Sequence, residues 1–563
     1  MDRIKICALG GLDENGKNCY VIEINDQIFV LDAGLVLADK TIPGVDCLIP
    51  NCSYLIENKD RIAGYIITHA HEENSAALKY FYSKAPAKIY TTETTANFLI
   101  AQARIYHVKV VFDFEFIDPN GNQKIGDRVI EFFQTAHNAP NSFGVCIPTD
   151  KGNIIYTSDF IVDFSIAEKT FAFNVKKLDT LSQKKTLLLM SESKAANKAG
   201  FCSPRHRCKD KIRKYFADCD GRLFISCFWQ NGFRLKEILD LAHENHRKIF
   251  FYDKYTEEVI HNLIKPYTGI TLAKEDIIPN EDYIRVRKQE MLVLILSHSE
   301  SIFDKIIDLT NGSSADKRIT IEANDTFINC AIPTETMENL GTEAIDAVYR
   351  TGCEVVWLSN KEYASMHARQ DDLRTFLSFL KPQYYMPVRG KYVNLMENAR
   401  LAVSMGIGLN HMNVFILDNG MELIIDENGK TRIIPNNVNK IPVRAALVNG
   451  SGTSFHNSKE IIDERAKYGF DGLITAMACV SRSKKEVVGQ IDCRLKGFIN
   501  MRNSEPVVKG VVKIFLDEIN SALSKDNFDF EEAKNNTKER ILKLIRKENG
   551  RSPSFIPIVT IID

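Results

Sequence analysis

The sequence has no run of the roughly 18 apolar residues that a transmembrane helix requires. Its first residues, Met1 to Lys5, already carry charges, and no long apolar core follows them, so we expect no secretory signal peptide. Internal repeats and low-complexity tracts are also absent. These absences predict a cytoplasmic protein that has no membrane as a partner.

A disulfide framework is not indicated either. The 13 cysteines are odd in number and scattered, without a repeated CxxC spacing, which favours reduced thiols in the cytosol. Net charge is nearly zero, with 72 Lys+Arg against 73 Asp+Glu, so whole-chain charge says nothing about nucleic acid. A local basic channel can still bind RNA in such a protein. A hydrophobic fraction of 44% is typical of a globular protein, and 563 residues suggest about three domains.

The pattern along the chain changes twice. The N-terminal part is a dense series of short apolar segments such as CYVIEI, AGYIITHAHE and NIIYTSDF, which predict packed sheets. From about Cys202 the pattern alternates between strands and helices, as in an α/β domain. Residues 430–445 contain two prolines and several asparagines, which predicts a linker. Two amphipathic helices and a last strand then predict a small α/β domain.

Two histidines at a strand end are the first chemical signal. In an extended segment residues i and i+2 project to the same side, so His69 and His71 can approach one ion. Glu72, Glu73 and Asn74 follow directly and add oxygen donors. An H-x-H pair alone is a weak signal, because most isolated histidines are structural or surface residues.

Two later segments strengthen this signal. His137 lies in a turn between two predicted strands, and Asp159 follows another apolar strand. Loops at strand ends commonly hold site residues on a rigid scaffold. Three histidines and an aspartate form a plausible nitrogen and oxygen site for zinc or manganese. The alternative is a set of hydrogen-bonded turn residues.

Several motifs in this order resemble the ribonuclease J family. THAHEEN, TAHNAPNS and YTSDF are similar to the metallo-β-lactamase ligand series, and ASMHARQDDLRTFLSFLKPQYYMPVRGKY is similar to the family's β-CASP segment. LMSESK around Glu192 resembles its acidic motif, and FWQNGFRLKEI resembles another internal motif. GGLDENGKNCYVIE, LDAG and DCLIPNCSYL resemble its opening, and RSPSFIPIVTII resembles its ending. The resemblance covers nearly the whole chain.

The resemblance implies an α/β fold, namely a metallo-β-lactamase αββα sandwich with an inserted β-CASP α/β domain and a small C-terminal α/β domain. The expected boundaries are 1–200 for the first part of the sandwich, 201–358 for the insert, 359–430 for the return, 431–452 for a linker and 453–563 for the C-terminal domain. The family hydrolyses RNA phosphodiesters with metal ions, as a 5′-to-3′ exonuclease and as an endonuclease. Its members form dimers and tetramers through the C-terminal region. The expected partners are RNA and either further copies of this chain or another ribonuclease J.

Departures from the family pattern affect the ligands of one of the family's two metals and the β-CASP segment. The family signature HxHxDH reads His69-Ala70-His71-Glu72-Glu73-Asn74 here, so that Glu73 and Asn74 replace an aspartate and a histidine. Arg389 replaces the histidine of the family's VHGEY segment. The histidine of the β-CASP segment is retained as His367, whereas Tyr363 and Met366 replace other residues of that motif.

By resemblance, one metal is bound by His69, His71, His137 and Asp159, all of which are present. The other would need Asp159 together with Glu73, Asn74 and Arg389. An asparagine is a weak neutral ligand, and an arginine cannot ligate because its guanidinium offers only donors. We therefore expect one tightly bound zinc or manganese ion instead of two, with Glu73 as a possible additional ligand.

The resemblance also implies roles for other residues. The catalytic candidates are Glu73, Glu192 and His367. The RNA-binding candidates share a place near the expected channel; they are Ser365, His367, Arg389, Arg205, Arg207 and Lys209. The last three belong to a basic run over 205–214, which either contacts an RNA backbone or is a solvated helix face.

Two alternatives remain for Arg389. Pointing inward, it would pair with Asp159 and Glu73 and partly replace the missing cation; pointing outward, it would bind phosphate. The altered ligands favour a ribonuclease J-like enzyme of RNA processing and decay with reduced activity. The alternative function is a catalytically inactive, RNA-binding partner subunit of an intact ribonuclease J.

Overall fold

The computed structural model describes residues 1–38, 44–261, 272–314, 316–334, 337–450, 452–454, 458–497, 504–525 and 530–563. It divides into two compact units, of which the first comprises Met1–Val36 with Cys47–Thr453 and the second Leu37–Asp46 with Ser454–Asp563. Within the described ranges, no helix is both long enough and apolar enough to cross a membrane.

The strands up to the second unit are numbered in chain order. They are β1 Ile4–Gly10, β2 Cys19–Ile24, β3 Gln27–Leu31, β4 Val36–Leu37, β5 Cys47–Ile49, β6 Ile62–Ile66, β7 Ile89–Thr91, β8 Phe114–Phe116, β9 Asn122–Ile125, β10 Arg128–Gln134, β11 Phe143–Thr149, β12 Gly152–Tyr156, β13 Thr186–Glu192, β14 Leu223–Phe228, β15 Lys248–Phe251, β16 Met291–Ser297, β17 Thr326–Asn329, β18 Glu354–Trp357, β19 Tyr384–Val388, β20 Glu422–Ile425, β21 Thr431–Ile434, β22 Ala446–Asn449 and β23 Gly452–Ser454.

The α-helices of the same part of the chain are also numbered in order. They are α1 Ser53–Glu57, α2 Glu72–Ser75, α3 Leu78–Phe81, α4 Glu93–Ile105, α5 Val175–Ser182, α6 Lys209–Asp218, α7 Gly232–Glu244, α8 Lys254–Val259, α9 Ser301–Thr310, α10 Glu338–Tyr349, α11 Gln370–Leu380, α12 Tyr392–Ser404 and α13 Asn436–Asn439.

Two sheets face each other across the main core. One has the order β21-β20-β1-β2-β3-β6-β7-β8, and the other has the order β19-β13-β12-β11-β10-β9. Apolar residues from both sheets, among them Phe29, Phe132 and Met190, form one buried cluster between them. Helices cover the outer faces: Tyr65 of β6 contacts Phe81 of α3, and α5 and α11 pack on the second sheet. This layering is the expected αββα sandwich.

An inserted parallel sheet interrupts the sandwich. Its strand order is β15-β16-β14-β17-β18, and α6 to α10 connect the strands. The strands β14 and β16 are nearly continuous in apolar residues, which is typical of a parallel sheet that is covered on both faces. The strand and helix alternation expected from about Cys202 is confirmed here, and with it the α/β insert.

The chain returns to the sandwich through α11 and β19, and β20 and β21 then pair with β1 and with each other. Residues 431–452, where the sequence predicts a linker, contain β21 and β22, and β22 pairs with β5. Part of that segment is therefore sheet in the first unit, because β21 pairs with β20 and the buried apolar residues of β22 pair with β5. Residue 451 of the predicted linker lies outside the described residues.

The second unit has a small sheet of its own. Its strands are β24 Leu473–Ser481, β25 Glu486–Lys496 and β26 Ser554–Ile561, and its helices are α14 Ser458–Asp471, α15 Glu505–Leu523 and α16 Phe530–Asn549. The strand order is β25-β24-β26. One face of β24 packs against apolar residues of α15 and α16, such as Phe515 and Ile541. The two amphipathic helices and the final strand agree with the expected small α/β domain.

Candidate metal centre

The candidate site residues lie where strands end. His69 and His71 follow β6, His137 follows β10, and Asp159 follows β12. Strands β12, β13 and β19 are parallel neighbours, so their carboxyl ends, and with them Asp159 and the segments around Glu192 and Arg389, meet at one edge of the sheet. The αββα layering therefore brings together side chains that are more than 300 residues apart.

Three imidazoles form a compact triangle. The ring centroids of His69, His71 and His137 are 4.8–4.9 Å apart in each pair. Asp159 completes the group, because its Oδ2 is 3.3 Å from His69 Nε2 and 3.4 Å from His137 Nε2. All four residues are buried, and one atom from each lies close enough for a shared ion.

The outer nitrogens determine the tautomers. His71 Nε2 donates to the main-chain oxygen of Gln230 at 3.0 Å, and His137 Nδ1 donates to that of Met366 at 2.7 Å. A carbonyl oxygen only accepts, so each of these nitrogens carries the hydrogen of a neutral ring. His69 Nδ1 contacts the hydroxyls of Thr68 at 3.0 Å and Ser158 at 3.2 Å. Such outer contacts are typical of metal-ligating histidines.

The inner nitrogens then present lone pairs to one another. His71 Nδ1 and His137 Nε2 are 3.2 Å apart, although neither carries a hydrogen in these tautomers. His69 Nε2 and Asp159 Oδ1 have no hydrogen-bond partner within the described ranges, whereas Asp159 Oδ2 forms an ion pair with Arg389. Burial lowers the pKa of His71 to about 4, so the ring is neutral at pH 7. This donor set suits a divalent cation.

A guanidinium lies between the carboxylates of Asp159 and Glu73. Arg389 forms an ion pair with Asp159 through Nη1 and with Glu73 through Nη2, the latter at 3.1 Å. Its Nη1 also donates to Asn74 Oδ1 at 2.9 Å. Of the two alternatives for Arg389, the structure has the inward one. An outward arginine would direct its donors towards a phosphate. The donors of this buried side chain face the carboxylates instead.

Burial and charge act against each other in this pair. Burial opposes ionisation, but Arg389 holds the pKa of Asp159 well below its usual range, and Asp159 and Glu73 raise the pKa of Arg389. Arg389 also has a left-handed backbone conformation, with φ 57°, which is uncommon for residues other than glycine. Both groups are thus charged at neutral pH.

Glu73 is half-buried in the first turn of α2. Burial raises the pKa of its carboxyl, but His71, Lys194 and Arg389 lie near it and together lower that pKa to about 2. A carboxylate with so low a pKa is a weak proton acceptor. This is a poor environment for the general base that the resemblance implies.

Glu192 and His367 form a second buried pair beside Asp159. Glu192 Oε2 is 2.9 Å from His367 Nδ1, and its Oε1 accepts from the backbone nitrogens of Phe160 and Ala368. Burial and the neighbouring Asp159 raise the pKa of Glu192 well above its usual value. Both oxygens are occupied, so Glu192 orients His367 and the adjoining main chain. His367 Nδ1 also lies 4.0 Å from Asp159.

Asp32 is a site residue that the sequence reasoning did not single out. Its carboxylate accepts from Thr68 Oγ1 at 2.9 Å and from Asn74 Nδ2 at 2.8 Å, and so orients residues beside the histidines and Arg389. Its neighbour Gly34 lies against α2, where an added Cβ would be 1.7 Å from the oxygen of Glu73. The LDAG segment contains both and was the available signal.

The predicted RNA-binding residues lie apart from the metal cluster, except His367 and Arg389. Ser365 and Arg205 are exposed. Arg207 pairs with Asp163 at 3.0 Å. Lys209 and Arg213 pair with the same carboxylate, Glu244, at 2.7 and 3.0 Å. Much of the charge of the basic run is thus balanced locally.

Comparison with known proteins finds relatives among ribonuclease J proteins. The model of the ribonuclease J C-terminal domain matches residues 460–562. Ribonuclease J 2 from Staphylococcus aureus (strain NCTC 8325 / PS 47) is 26% identical over 567 residues, which cover 99% of this chain and 98% of that protein. The chain resembles ribonuclease J proteins over nearly its whole length. Ribonuclease J 2 from Staphylococcus epidermidis (strain RP62A) is also 26% identical, with the same coverage over 557 residues.

A solved structure supports the fold of this chain. The crystal structure of a protein of unknown function from Enterococcus faecalis V583 aligns with a TM-score of 0.51 and 13% identity. It covers 77% of this chain and 100% of that chain. At this identity the likeness concerns the fold alone. The family resemblance and the αββα sandwich with its insert are confirmed.

Proposed function

We propose that this protein acts in RNA processing and decay as a metal-dependent phosphodiesterase with one metal ion and low activity. The ion is zinc or manganese, with His69, His71, His137 and Asp159 as its ligands. The observation that carries the proposal is the position of the Arg389 guanidinium, which contacts Asp159, Glu73 and Asn74 where family members have a second metal.

The orientation of the candidate ligands supports the proposed metal site. The three rings are oriented before any ion arrives, because their outer nitrogens already have partners. An ion bound there would activate a water molecule and polarise a phosphate oxygen. Arg389 neutralises the remaining carboxylates, but it cannot activate water. His367 lies beside Asp159 and the exposed Ser365 lies close by in sequence, so both are proposed to contact the RNA backbone.

A second candidate function is a catalytically inactive, RNA-binding partner subunit of an intact ribonuclease J. The low pKa of Glu73 and its pairing with Arg389 favour it, since the site then lacks an effective base. Under both proposals the protein is cytoplasmic and assembles as a homo-oligomer or with another ribonuclease J. The C-terminal segment matched by the family model is the proposed assembly region.

A turnover assay distinguishes the two candidates. Purified protein is incubated with 5′-monophosphate RNA, with zinc or manganese and with a chelator. Slow, metal-dependent cleavage that is lost in His71→Ala supports the first candidate, and Glu73→Ala then reports on the base. RNA binding without cleavage supports the second. Cleavage at the full rate of an intact family member would refute the argument from the lost ligands.

A further inference from the structure

One metal ligand is oriented by the inserted domain. His71 follows β6 of the sandwich, whereas Gln230, whose main-chain oxygen accepts from His71 Nε2 at 3.0 Å, lies between β14 and α7 of the insert. This contact leaves His71 Nδ1 free to face His69 and His137. The ligand geometry in the sandwich therefore depends on where the insert places one carbonyl group.

The side chain of Gln230 is anchored to the residue next to the ligand. Its Nε2 is 3.5 Å from Oε2 of Glu72, a buried carboxylate with an exposure of 5%. On the other side Gln102 Nε2, from α4, donates to Glu72 Oε1 at 3.3 Å. Glu72 thus lies between an amide of the insert and an amide of the sandwich. These hydrogen bonds compensate the hydration that the carboxylate loses on burial.

The far end of this chain of contacts is also buried. Lys79 Nζ is 3.4 Å from Gln102 Oε1 and donates to the main-chain oxygen of Ala76 at 3.0 Å. Its ammonium lies 4.7 and 4.5 Å from the ring centroids of Tyr80 and Tyr106. The Lys79 cation partly balances the buried negative charge of Glu72, and Gln102 connects the two side chains.

The same insert loop contacts a second ligand loop. The backbone nitrogen of Phe233 donates to the oxygen of Asn138, the residue after His137, at 3.1 Å. Trp229 packs against Phe98 of α4, with ring centroids 5.6 Å apart. Residues 229–233 therefore contact the sandwich at two points, α4 and the loop that follows His137.

We infer that Gln230 and Glu72 are positioning residues that couple the seating of the inserted domain to the metal affinity of His71. The inference rests on the proposed metal centre. When the loop over 229–233 is seated, His71 is held as a ligand; when it moves away, the ring loses the acceptor that sets its tautomer and orientation. Coupling of this kind is reciprocal, so metal binding must also stabilise the seated loop.

Zinc affinity of the full-length protein, measured by competition with a chelating dye, tests the first half. Gln230→Ala and Glu72→Ala should each weaken zinc binding about 10-fold, which is the usual effect of removing a residue that orients a ligand. The double variant should weaken it by less than the product of the two, because both act through one contact. Glu72→Gln, which keeps the shape and one acceptor, should fall between Glu72→Ala and the wild type.

A control separates positioning from general loss of stability. Asp325 pairs with Arg222 inside the insert at a distance of 2.6 Å, at the start of β14 and thus at the opposite end of that strand from the loop. Asp325→Asn should lower the melting temperature of the apoprotein and leave zinc affinity within about twofold, a factor small beside the 10-fold loss expected for the positioning variants. Equal losses of affinity in Asp325→Asn and Gln230→Ala would overturn the inference.

Hydrogen exchange tests the reciprocal half without any activity assay. Zinc should slow exchange of the Phe233 amide in the wild type and have no such effect in His71→Ala. The coupling would be refuted if the wild type takes up zinc and the exchange rate of this amide does not change. It would also be refuted if the zinc affinities of Gln230→Ala and Glu72→Ala are both within twofold of the wild type. Either result would leave the proposed metal centre intact. A wild type that takes up no zinc would instead refute the proposed metal centre.

Discussion

Arg389 and Asp159 form an ion pair in which the two side chains are 3% and 0% exposed. The same carboxylate faces the histidine cluster, with Oδ2 3.3 Å from His69 Nε2. One carboxylate is therefore shared between a candidate metal-ligand set and a permanent cation. Because Arg389 cannot leave the site by losing its proton, it limits the positive charge that the site accepts from solution.

We expect the purified protein to bind at most one metal ion tightly per chain. The three histidines and Asp159 remain available, whereas Arg389 and Asn74 replace ligands of the second ion. Elemental analysis after dialysis should give about one zinc or manganese ion or fewer, and His71→Ala should give none, because it removes one of the four candidate ligands. Two tightly bound ions per chain would contradict this prediction.

Restoring the second site should need two substitutions. Arg389→His alone should not raise metal content to two, because Asn74 is engaged with Asp32 at 2.8 Å and is a weak ligand. Arg389→His combined with Asn74→His should raise metal content towards two ions and raise RNA hydrolysis. If the double variant leaves both quantities unchanged, the altered ligands are not the reason for low activity.

Removal of the Arg389 charge should destabilise the apoprotein. Arg389→Met leaves Asp159 buried without its cation, and breaking a buried ion pair from one side costs about 3 kcal/mol of unfolding free energy. Denaturant unfolding in the presence of a chelator measures this. Zinc should recover part of the loss, because it would compensate Asp159.

An exposed ion pair provides the matched control for that prediction. Arg350 pairs with Asp346 at 2.8 Å, but the two side chains are 79% and 63% exposed. Arg350→Met should leave stability nearly unchanged, because solvent screens such pairs. Similar losses in Arg350→Met and Arg389→Met would show that the buried pair has no special effect.

RNA binding should depend steeply on salt and on Glu244. Phosphate contacts release cations from the RNA, so affinity for single-stranded RNA should fall between low and moderate salt. Glu244→Gln should raise affinity, because it frees Lys209 and Arg213 from their ion pairs. Arg205→Ala should lower affinity more than Lys209→Ala, since Arg205 is exposed and, among the described residues, has no carboxylate partner. A binding constant that is independent of salt would argue against a phosphate-tracking surface.

Much of the architecture was readable from the sequence. The sandwich, the insert and the terminal α/β unit were predicted from strand patterns and motif order, and the structure and the comparisons confirm them. His69 and His71 were predicted to project to one side of an extended segment, and their rings are 4.8 Å apart. Such features depend on residues close in sequence, where periodicity carries the information.

Contacts between residues far apart in the sequence were harder to predict. The sequence left Arg389 with an inward and an outward alternative, and treated the basic run as either an RNA contact or a solvated face. Neither question has a local answer, because the partners of these residues, such as Asp159 and Glu244, are reached through the fold. The hydrogen bond from Asn74 to Asp32 was missed for the same reason.

The sequence by itself determined the resemblance to the ribonuclease J family, the order of helices and strands, and the ligand types available at the site. It also determined that Asn74 and Arg389 stand where the family pattern has histidines. Only the tertiary structure decided that the guanidinium of Arg389 contacts Asp159 and that an insert carbonyl orients His71. The reason is physical: both depend on which buried donors and acceptors meet when two sheets and an insert close on one another, and burial makes an unpaired charge costly.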